Sequence, residues 1–517
     1  MKRRKFIKST AAAVALPLVL NGMPITAMKK SSFFNAINDN DDKILVLVEL
    51  NGGNDGLNTV IPIDQIDQLA NARSNILIPE SQILKLTDKT GLHPVMTGMK
   101  SLYDNAKLNV VQNVGYPNQN RSHFRSTDIW KSGSDADVYL PTGWLGRYFD
   151  SKYPGFPNNY PNAECTDPFS ITVGSLVSET CQGMGGNFSM ALIDPTQLFT
   201  LNEGAEGNAN QNTCYGMELA FLRNALLQTN SYVNVVTQAN TSGTNQVSYP
   251  EENSLATQLK LVAKLISGGL KSKVYVTNLS GFDTHADQTD TMDPTIGSHA
   301  VLLEKVSSAI AAFQADLAAQ GLEERVIGMT FSEFGRQIQS NFSTGTDHGT
   351  AAPLFLFGTC VKPGITGNNP FIPSQLYNQE GVAMDIDFRS IYGTILKDWF
   401  KMSDLDISAI LFSGWQYLPL IKDCTTATFD PTIDQLEVKL YPNPVSQNAH
   451  IEFYAESEQI RICVFNALGF EVKLISDQKF SFGLHRIDFN MEGLPAGNYY
   501  LRIDSKRASV TKAFVRI

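Results

Sequence analysis

The chain has 517 residues, 43% of them hydrophobic and 18% charged, and a formal net charge of −10. That length exceeds one ordinary domain, and the composition excludes an intrinsically disordered chain. The acidic balance argues against nucleic acid as a partner, since such binders present a basic face.

The first residues, Met1-Lys2-Arg3-Arg4-Lys5-Phe6-Ile7-Lys8, are strongly basic, and the apolar run that follows, residues 11–20, is too short to span a bilayer. This is the layout of an export signal over residues 1–27, with cleavage near Ala27. Arg3-Arg4 followed by Phe6-Ile7-Lys8 resembles the twin-arginine signal, with a generic secretory signal as the alternative. No later segment is apolar for long enough to form a transmembrane helix, so none is expected in the mature protein.

Residues 43–50 read as a buried strand, as do 108–114, 273–279, 325–331 and 353–357. Amphipathic helical patterns lie between them over 94–106, 217–239, 254–266, 299–320 and 388–402. Apolar strands alternating with helices predict an α/β layered domain with a mostly parallel sheet over residues 43–422. Residues 135–212, rich in Gly, Pro, Asn and Ser, read as insertions over one edge, a candidate substrate lid. The six cysteines form no C-x-x-C pair, which disfavours a thiolate zinc site. Cys165, Cys181 and Cys214 share one loop-rich region that could hold a bridge, whereas Cys360 and Cys463 lie in apolar runs and read as buried thiols.

From residue 435 the pattern changes to short alternating runs separated by turn residues, which predicts a small all-β sandwich over 435–517 after a linker at 423–434. Three ordered motifs stand out there: Tyr441-Pro442-Asn443-Pro444, then Gly493-Leu494-Pro495-Ala496-Gly497-Asn498-Tyr499-Tyr500-Leu501, then Lys512-Ala513-Phe514-Val515-Arg516-Ile517. Together they resemble the C-terminal sorting domain of the type IX secretion system. That resemblance implies an address for the outer surface rather than a catalytic part.

In open α/β sheets ligands bind beyond the carboxyl ends of the strands, so the loops at those ends carry the chemistry. They read Asn51-Gly52-Gly53-Asn54-Asp55-Gly56, then Asn120-Arg121-Ser122-His123-Phe124-Arg125-Ser126-Thr127-Asp128, then Gly281-Phe282-Asp283-Thr284-His285, then Ser332-Glu333-Phe334-Gly335-Arg336 and Thr346-Asp347-His348-Gly349. Carboxylates and imidazoles on adjacent loops can share a hard or borderline cation. Each also has a plainer reading. Asn54-Asp55-Gly56 is ordinary turn chemistry, and Ser332-Glu333 could cap a helix with an acid in its first turn. The sequence contains no G-x-S-x-G, H-E-x-x-H or P-loop pattern.

These motifs, spread over residues 43–415, resemble an exported bacterial family called domain of unknown function 1501, grouped with the alkaline phosphatase and sulfatase superfamily. The resemblance implies an alkaline-phosphatase-like fold. It also implies metal ligation by Asp55, Asp283, His285, Asp347 and His348. A hydroxyl nucleophile would come from Ser122, Ser126 or Thr127, and Arg121 or Arg125 would hold the anionic oxygens. The superfamily normally supplies a further histidine after its Asp-His pair, but here none follows His348 until His450. His123 or His299 could replace it, or the site could hold one metal. The absence of Cys/Ser-x-Pro-x-Arg disfavours a sulfatase formylglycine nucleophile.

The expected function is an exported, surface-directed, metal-dependent hydrolase of phosphate or sulfate esters, acting on a small anionic ester or glycan. The alternative is a non-catalytic surface binding protein that keeps the fold. Mixed carboxylate and imidazole ligands favour Zn²⁺ or Mn²⁺ ahead of Mg²⁺ or Ca²⁺. The expected partners are the twin-arginine and type IX secretion machineries, with passage through the periplasm to the cell surface or the medium.

Overall fold

A computed structural model describes residues 42–158, 160–197, 232–412, 414–422, 424, 438–455, 459–466, 470–481, 483–505 and 509–517, together with short strands at Val19–Leu20 and Met23–Pro24. The rest of the expected signal peptide, nearly all of the linker, Cys214 and most of the helix expected over 217–239 lie outside the described residues; residues 232–242 are helical. The chain divides into two compact units, Asp42–Thr425 and a second formed by Met1–Asp41 with Thr426–Ile517.

The first unit is built on a nine-stranded sheet. Its strands are β1 (Ile44–Asn51), β2 (Leu108–Gly115), β3 (Ser170–Val173), β4 (Ser189–Leu192), β5 (Val274–Ser280), β6 (Val326–Phe331), β9 (Ala352–Phe357), β10 (Gly364–Thr366) and β11 (Ile386–Asp387); a separate hairpin pairs β7 (Arg336–Ser340) with β8 (Thr346–His348). The order is β10-β2-β9-β6-β1-β5-β3-β4, with β11 also on β2. All pairings are parallel except those of β9 with β6 and β2.

The composition of β1 explains its central place. Ile44, Val46, Val48 and Leu50 pack in one core and Leu45 and Leu47 in another, so both faces are covered and no alternation with polar residues is needed. Burying each such side chain contributes about 1.5–3 kcal/mol. One covering layer holds α3 (Thr97–Asp104), α6 (Ser254–Ser267) and α7 (Ser298–Ala319). The other holds α4 (His123–Ser132), α5 (Trp144–Lys152) and α8 (Phe388–Thr394). Two short helices, α1 (Gly56–Thr59) and α2 (Ile66–Arg73), follow β1.

The five strands expected from the apolar runs are present, but two expectations need correction. The region 135–212, read as edge insertions, contributes β3, β4 and α5 to the layered fold itself. Each of the two strands is only four residues long and is bounded by turn residues, which hid the signal. Cys360 is not a free thiol but bonds to Cys424, with the Cα atoms 5.3 Å apart. The bridge joins an apolar run to the expected linker, a pairing that periodicity does not reveal. Among the described residues, Cys165, Cys181 and Cys463 are free.

In the second unit, the described strands Lys439–Tyr441, Asn448–Ala455, Gln459–Asn466, Glu471–Lys479, Gly483–Asn490, Gly497–Ser505 and Ser509–Arg516 form two antiparallel sheets over one apolar core. Among the described residues, no helix is long and apolar enough to cross a membrane.

Candidate metal centre

The loops after β1, β5 and β6, the start of α4 and the β7–β8 hairpin meet at one end of the sheet. Arg336 ties them together. Its buried guanidinium donates to the carbonyls of Gly53 (2.6 Å), Thr346 (2.9 Å), Phe282 (2.9 Å) and Gly52, and to Asp283 Oδ1 (2.8 Å). Gly52, at φ +125°, lies so close to the β5 loop that a Cβ would sit 2.3 Å from the Asp283 amide nitrogen. Arg336 also faces His348 in the hairpin register, which carries His348 to the same place. Asn341 shapes the hairpin turn: its Oδ1 accepts from the Ser343 and Gly345 amides, and its Nδ2 donates to the His285 carbonyl at 2.8 Å.

His123, His285, His348 and Asp283 converge here. Asp283 Oδ1 lies 3.5 Å from His123 Nε2, 3.1 Å from His285 Nε2 and 3.3 Å from His348 Nε2, and the last two nitrogens are 2.9 Å apart. His123, Asp283 and His348 each offer a ligand atom, all within 4.8 Å of one another. The far side of each ring is already engaged. Nδ1 of His123 faces Glu333 Oε1 at 2.8 Å, that of His285 faces Asp347 Oδ1 at 2.7 Å, and that of His348 faces the Arg121 carbonyl at 2.9 Å. Carboxylates and carbonyls only accept, so each Nδ1 carries a proton; in the singly protonated ring Nε2 is then a lone pair.

In that form the cluster is made of acceptors facing acceptors. Desolvation and the nearby Arg336 charge outweigh its acceptor partners and lower the His348 pKa, so that ring resists the proton that would relieve the contact. Asp283 stays anionic: burial opposes this, but the Arg336 hydrogen bond and charge hold its pKa below the usual carboxylate value. A tetrahedral cation with bonds of about 2.0–2.1 Å holds its ligand atoms about 3.3 Å apart. The separations of Asp283 Oδ1 from His123 and His348, 3.5 and 3.3 Å, lie near that value, and these three ligand atoms all lie within 4.8 Å of one another, so the triad fits a divalent ion, with His285 Nε2 beside it at 2.9 Å from His348 Nε2.

The other residues expected at the site lie elsewhere or are engaged. Asp55 is fully buried. It receives two hydrogen bonds from Arg73 Nη1 (2.8 and 3.0 Å), one from Gln288 Nε2 (2.7 Å) and one from the Leu57 amide (3.2 Å). Burial opposes its ionisation, yet the Arg73 charge and these bonds lower its pKa. His299 is also buried and pairs its Nε2 with Asn54 Oδ1 at 2.9 Å. The structure brings neither Asp55 nor His299 to the cluster. Asp347 reaches it only through the back of His285.

Ser126 is fully buried, with its hydroxyl on the Glu333 carbonyl and 2.8 Å from Tyr116 Oη. Arg125 holds Asp128 and the carbonyls of Asp135, Ala136 and Val138. Thr127 is half-buried. Ser122 is exposed at the N-cap of α4, and its side chain makes no capping bond. The Arg121 guanidinium is half-buried and has no partner among the described residues, and desolvation lowers its pKa. Sequence reasoning placed Glu333 in a strand-end loop, with a helix acid as the plainer reading, and gave it no role at the site; it missed Arg73 and Gln288. Their roles depend on contacts 18–233 residues apart, with no local motif to mark them.

Residues 217–411 match the family model described as Protein of unknown function (DUF1501), and residues 439–516 match the Secretion system C-terminal sorting domain. The chain therefore carries a segment that matches that family model and a tail whose match implies secretion. No curated protein matches it. Among solved structures it is similar to a sulfatase, PsFucS1, from Pseudoalteromonas sp., at 11% identity over 90% of this chain and 87% of that one, TM-score 0.34. It is also similar to a protein in the alkaline phosphatase superfamily from Vibrio parahaemolyticus, at 10% identity over 91% and 78%, TM-score 0.31. A third likeness is to PorZ, a surface component of the type IX secretion system of Porphyromonas gingivalis, at 14% identity over 19% of this chain and only 13% of PorZ, TM-score 0.13.

Proposed function

We propose that this chain, a segment of the unknown-function family joined to a secretion sorting tail, is an exported metal-dependent hydrolase of anionic esters, phosphate or sulfate. His123, His285, His348 and Asp283 are the proposed ligands of one divalent ion. The observation that carries the reading is the convergence of three Nε2 atoms on one carboxylate oxygen, with every Nδ1 held by an acceptor. Zn²⁺ or Mn²⁺ suits imidazole-rich ligands better than Mg²⁺ or Ca²⁺. When bound, such an ion supplies Lewis acidity toward the ester oxygens.

The chain's own residues complete the site. The Arg121 carbonyl holds His348, so its backbone is anchored at the cluster while its guanidinium has no partner among the described residues. That cation is suited to grip the oxygens of the ester anion. Ser122, next in sequence, offers the one uncommitted serine hydroxyl among the candidates, at the positive end of the α4 dipole. It is the proposed nucleophile. Export by the twin-arginine route and surface delivery by the type IX system belong to the same proposal, supported by Arg3-Arg4 and by the sorting tail.

Metal analysis of full-length protein purified without chelator, combined with turnover of aryl phosphate and aryl sulfate, tests the reading. One bound ion per chain and turnover that falls at least 100-fold in Ser122→Ala are expected, with Arg121→Ala raising KM. Fewer than about 0.1 ion per chain would sink the metal site. Equal turnover by the wild type and a His285→Ala, His348→Ala double variant would sink the hydrolase.

A further inference from the structure

We infer that Glu333 and Asp347 are positioning residues, each setting the tautomer and aim of one histidine, Glu333 for His123 and Asp347 for His285. This rests on the metal reading above and changes the expected role of Asp347 from ligand to support. Asp347 Oδ1 meets His285 at Nδ1, whereas Nε2, on the other side of the ring, faces Asp283 and His348. An oxygen engaged behind the ring does not also reach the position in front of it.

Glu333 is the more tightly held of the two. Its side chain is 6% exposed, and Oε1 takes both the Gly52 amide and His123 Nδ1 at 2.8 Å, while Oε2 takes Ser332 Oγ at 3.2 Å. Its carbonyl accepts from Ser126, which also pairs with Tyr116. One residue thus joins the ends of β1 and β6 to the start of α4. Among the described residues, no lysine or arginine forms an ion pair with this carboxylate; its imidazole partner is His123. A buried anion calls for a countercharge. A cation at His123 Nε2 would provide one across the ring, and in return the carboxylate makes the imidazole a more basic ligand. Neither partner is a neighbour of its histidine in sequence: Glu333 stands 210 residues from His123, and Asp347 stands 62 from His285.

The test uses full-length protein loaded with Co²⁺, whose visible absorption reports ligand number and geometry. Affinity is measured by competition with a chelator. Glu333→Gln and Asp347→Asn should keep the wild-type band shape per bound ion while weakening affinity about 10–100-fold. Asp283→Ala, which removes a ligand, should change the band itself. Affinity within twofold of wild type in both support variants would overturn the inference, as would a Co²⁺ band in Asp347→Asn altered like that of Asp283→Ala. Asp347 is half exposed, so Asp347→Asn decides the matter alone if Glu333→Gln does not fold. Wild-type protein that takes up no Co²⁺ would instead refute the metal reading.

Discussion

Asp55, His299 and His93 form one acid–histidine grouping near the end of β1, and Asp283, His123, His285 and His348 form another at the open end of the sheet. The residue types are the same, but the bookkeeping of donors and acceptors is opposite. In the buried grouping every contact pairs a donor with an acceptor: Asp55 receives Arg73, Gln288 and a backbone amide, His299 meets Asn54, and His93 Nδ1 faces the Val95 amide at 3.4 Å. In the open grouping, with each ring protonated at Nδ1 alone, three lone pairs and a carboxylate face one another. A closed set of pairs holds the fold, whereas an unbalanced set calls for a ligand. The difference lies in what stands behind each side chain, not in the side chains themselves.

The largest expected effect breaks the buried grouping. Arg73→Leu leaves the fully buried Asp55 carboxylate without its charge partner and strips donors from the Ile338 and Gln337 carbonyls. Removing one side of such a pair costs about 3–5 kcal/mol, to be read from urea unfolding. The folded fraction should still bind Co²⁺, because Arg73 touches none of the proposed ligands; lost binding in that fraction would merge the two groupings. Next in size is stabilisation by metal. Zn²⁺ at 100 times its Kd should raise unfolding stability by about 2.7 kcal/mol in wild type, reversed by chelator, and by nothing in the His285→Ala, His348→Ala variant. An equal gain in both proteins would place the ion elsewhere.

The contrast also marks what the sequence can reveal. Strands such as β1, β5 and β6 were legible because burial on both faces demands unbroken apolar runs. The strand-end rule then picked out the loops that meet at the cluster, and with them His123, His285, His348 and Asp283. It could not separate Asp55 from Asp283, because each follows a strand in a glycine-containing loop. That separation is made by Arg73 and Gln288 on one side and Arg336 on the other, all distant in sequence from the acid they meet except Arg73, whose helix shows no outward sign of its role. The short β3 and β4 were hidden for a different reason: four residues are too few for a period to show.

The third prediction follows from the neutral state of the buried histidines. Desolvation lowers the pKa of His93 to about 3 and of His299 to about 4, against about 6.5 in an unfolded chain. Below pH about 6.5 the unfolded chain takes up protons that the folded chain refuses, so stability falls as pH drops toward about 4. Each histidine contributes a slope of about 1.4 kcal/mol per pH unit. His299→Gln should flatten the profile measured between pH 7 and pH 5 by about one such slope. An unchanged profile would mean that the pair already carries a proton at neutral pH.

The smallest expected effect is the most telling for the open grouping. Without metal, His285→Ala should change stability by no more than about 0.5 kcal/mol, because its side chain is 44% exposed and its partners Asp283 and Asp347 are 47% and 50% exposed. With both rings protonated at Nδ1 alone, what the substitution loses in the Asp347 hydrogen bond it partly regains by removing the 2.9 Å approach of two ring nitrogens. With Zn²⁺ present the same substitution should lose most of the metal increment, so the two curves differ only in the loaded state. A loss above about 1.5 kcal/mol in the metal-free protein would show that these imidazoles hold the loops together by themselves, and the open grouping would then be of the same kind as the buried one.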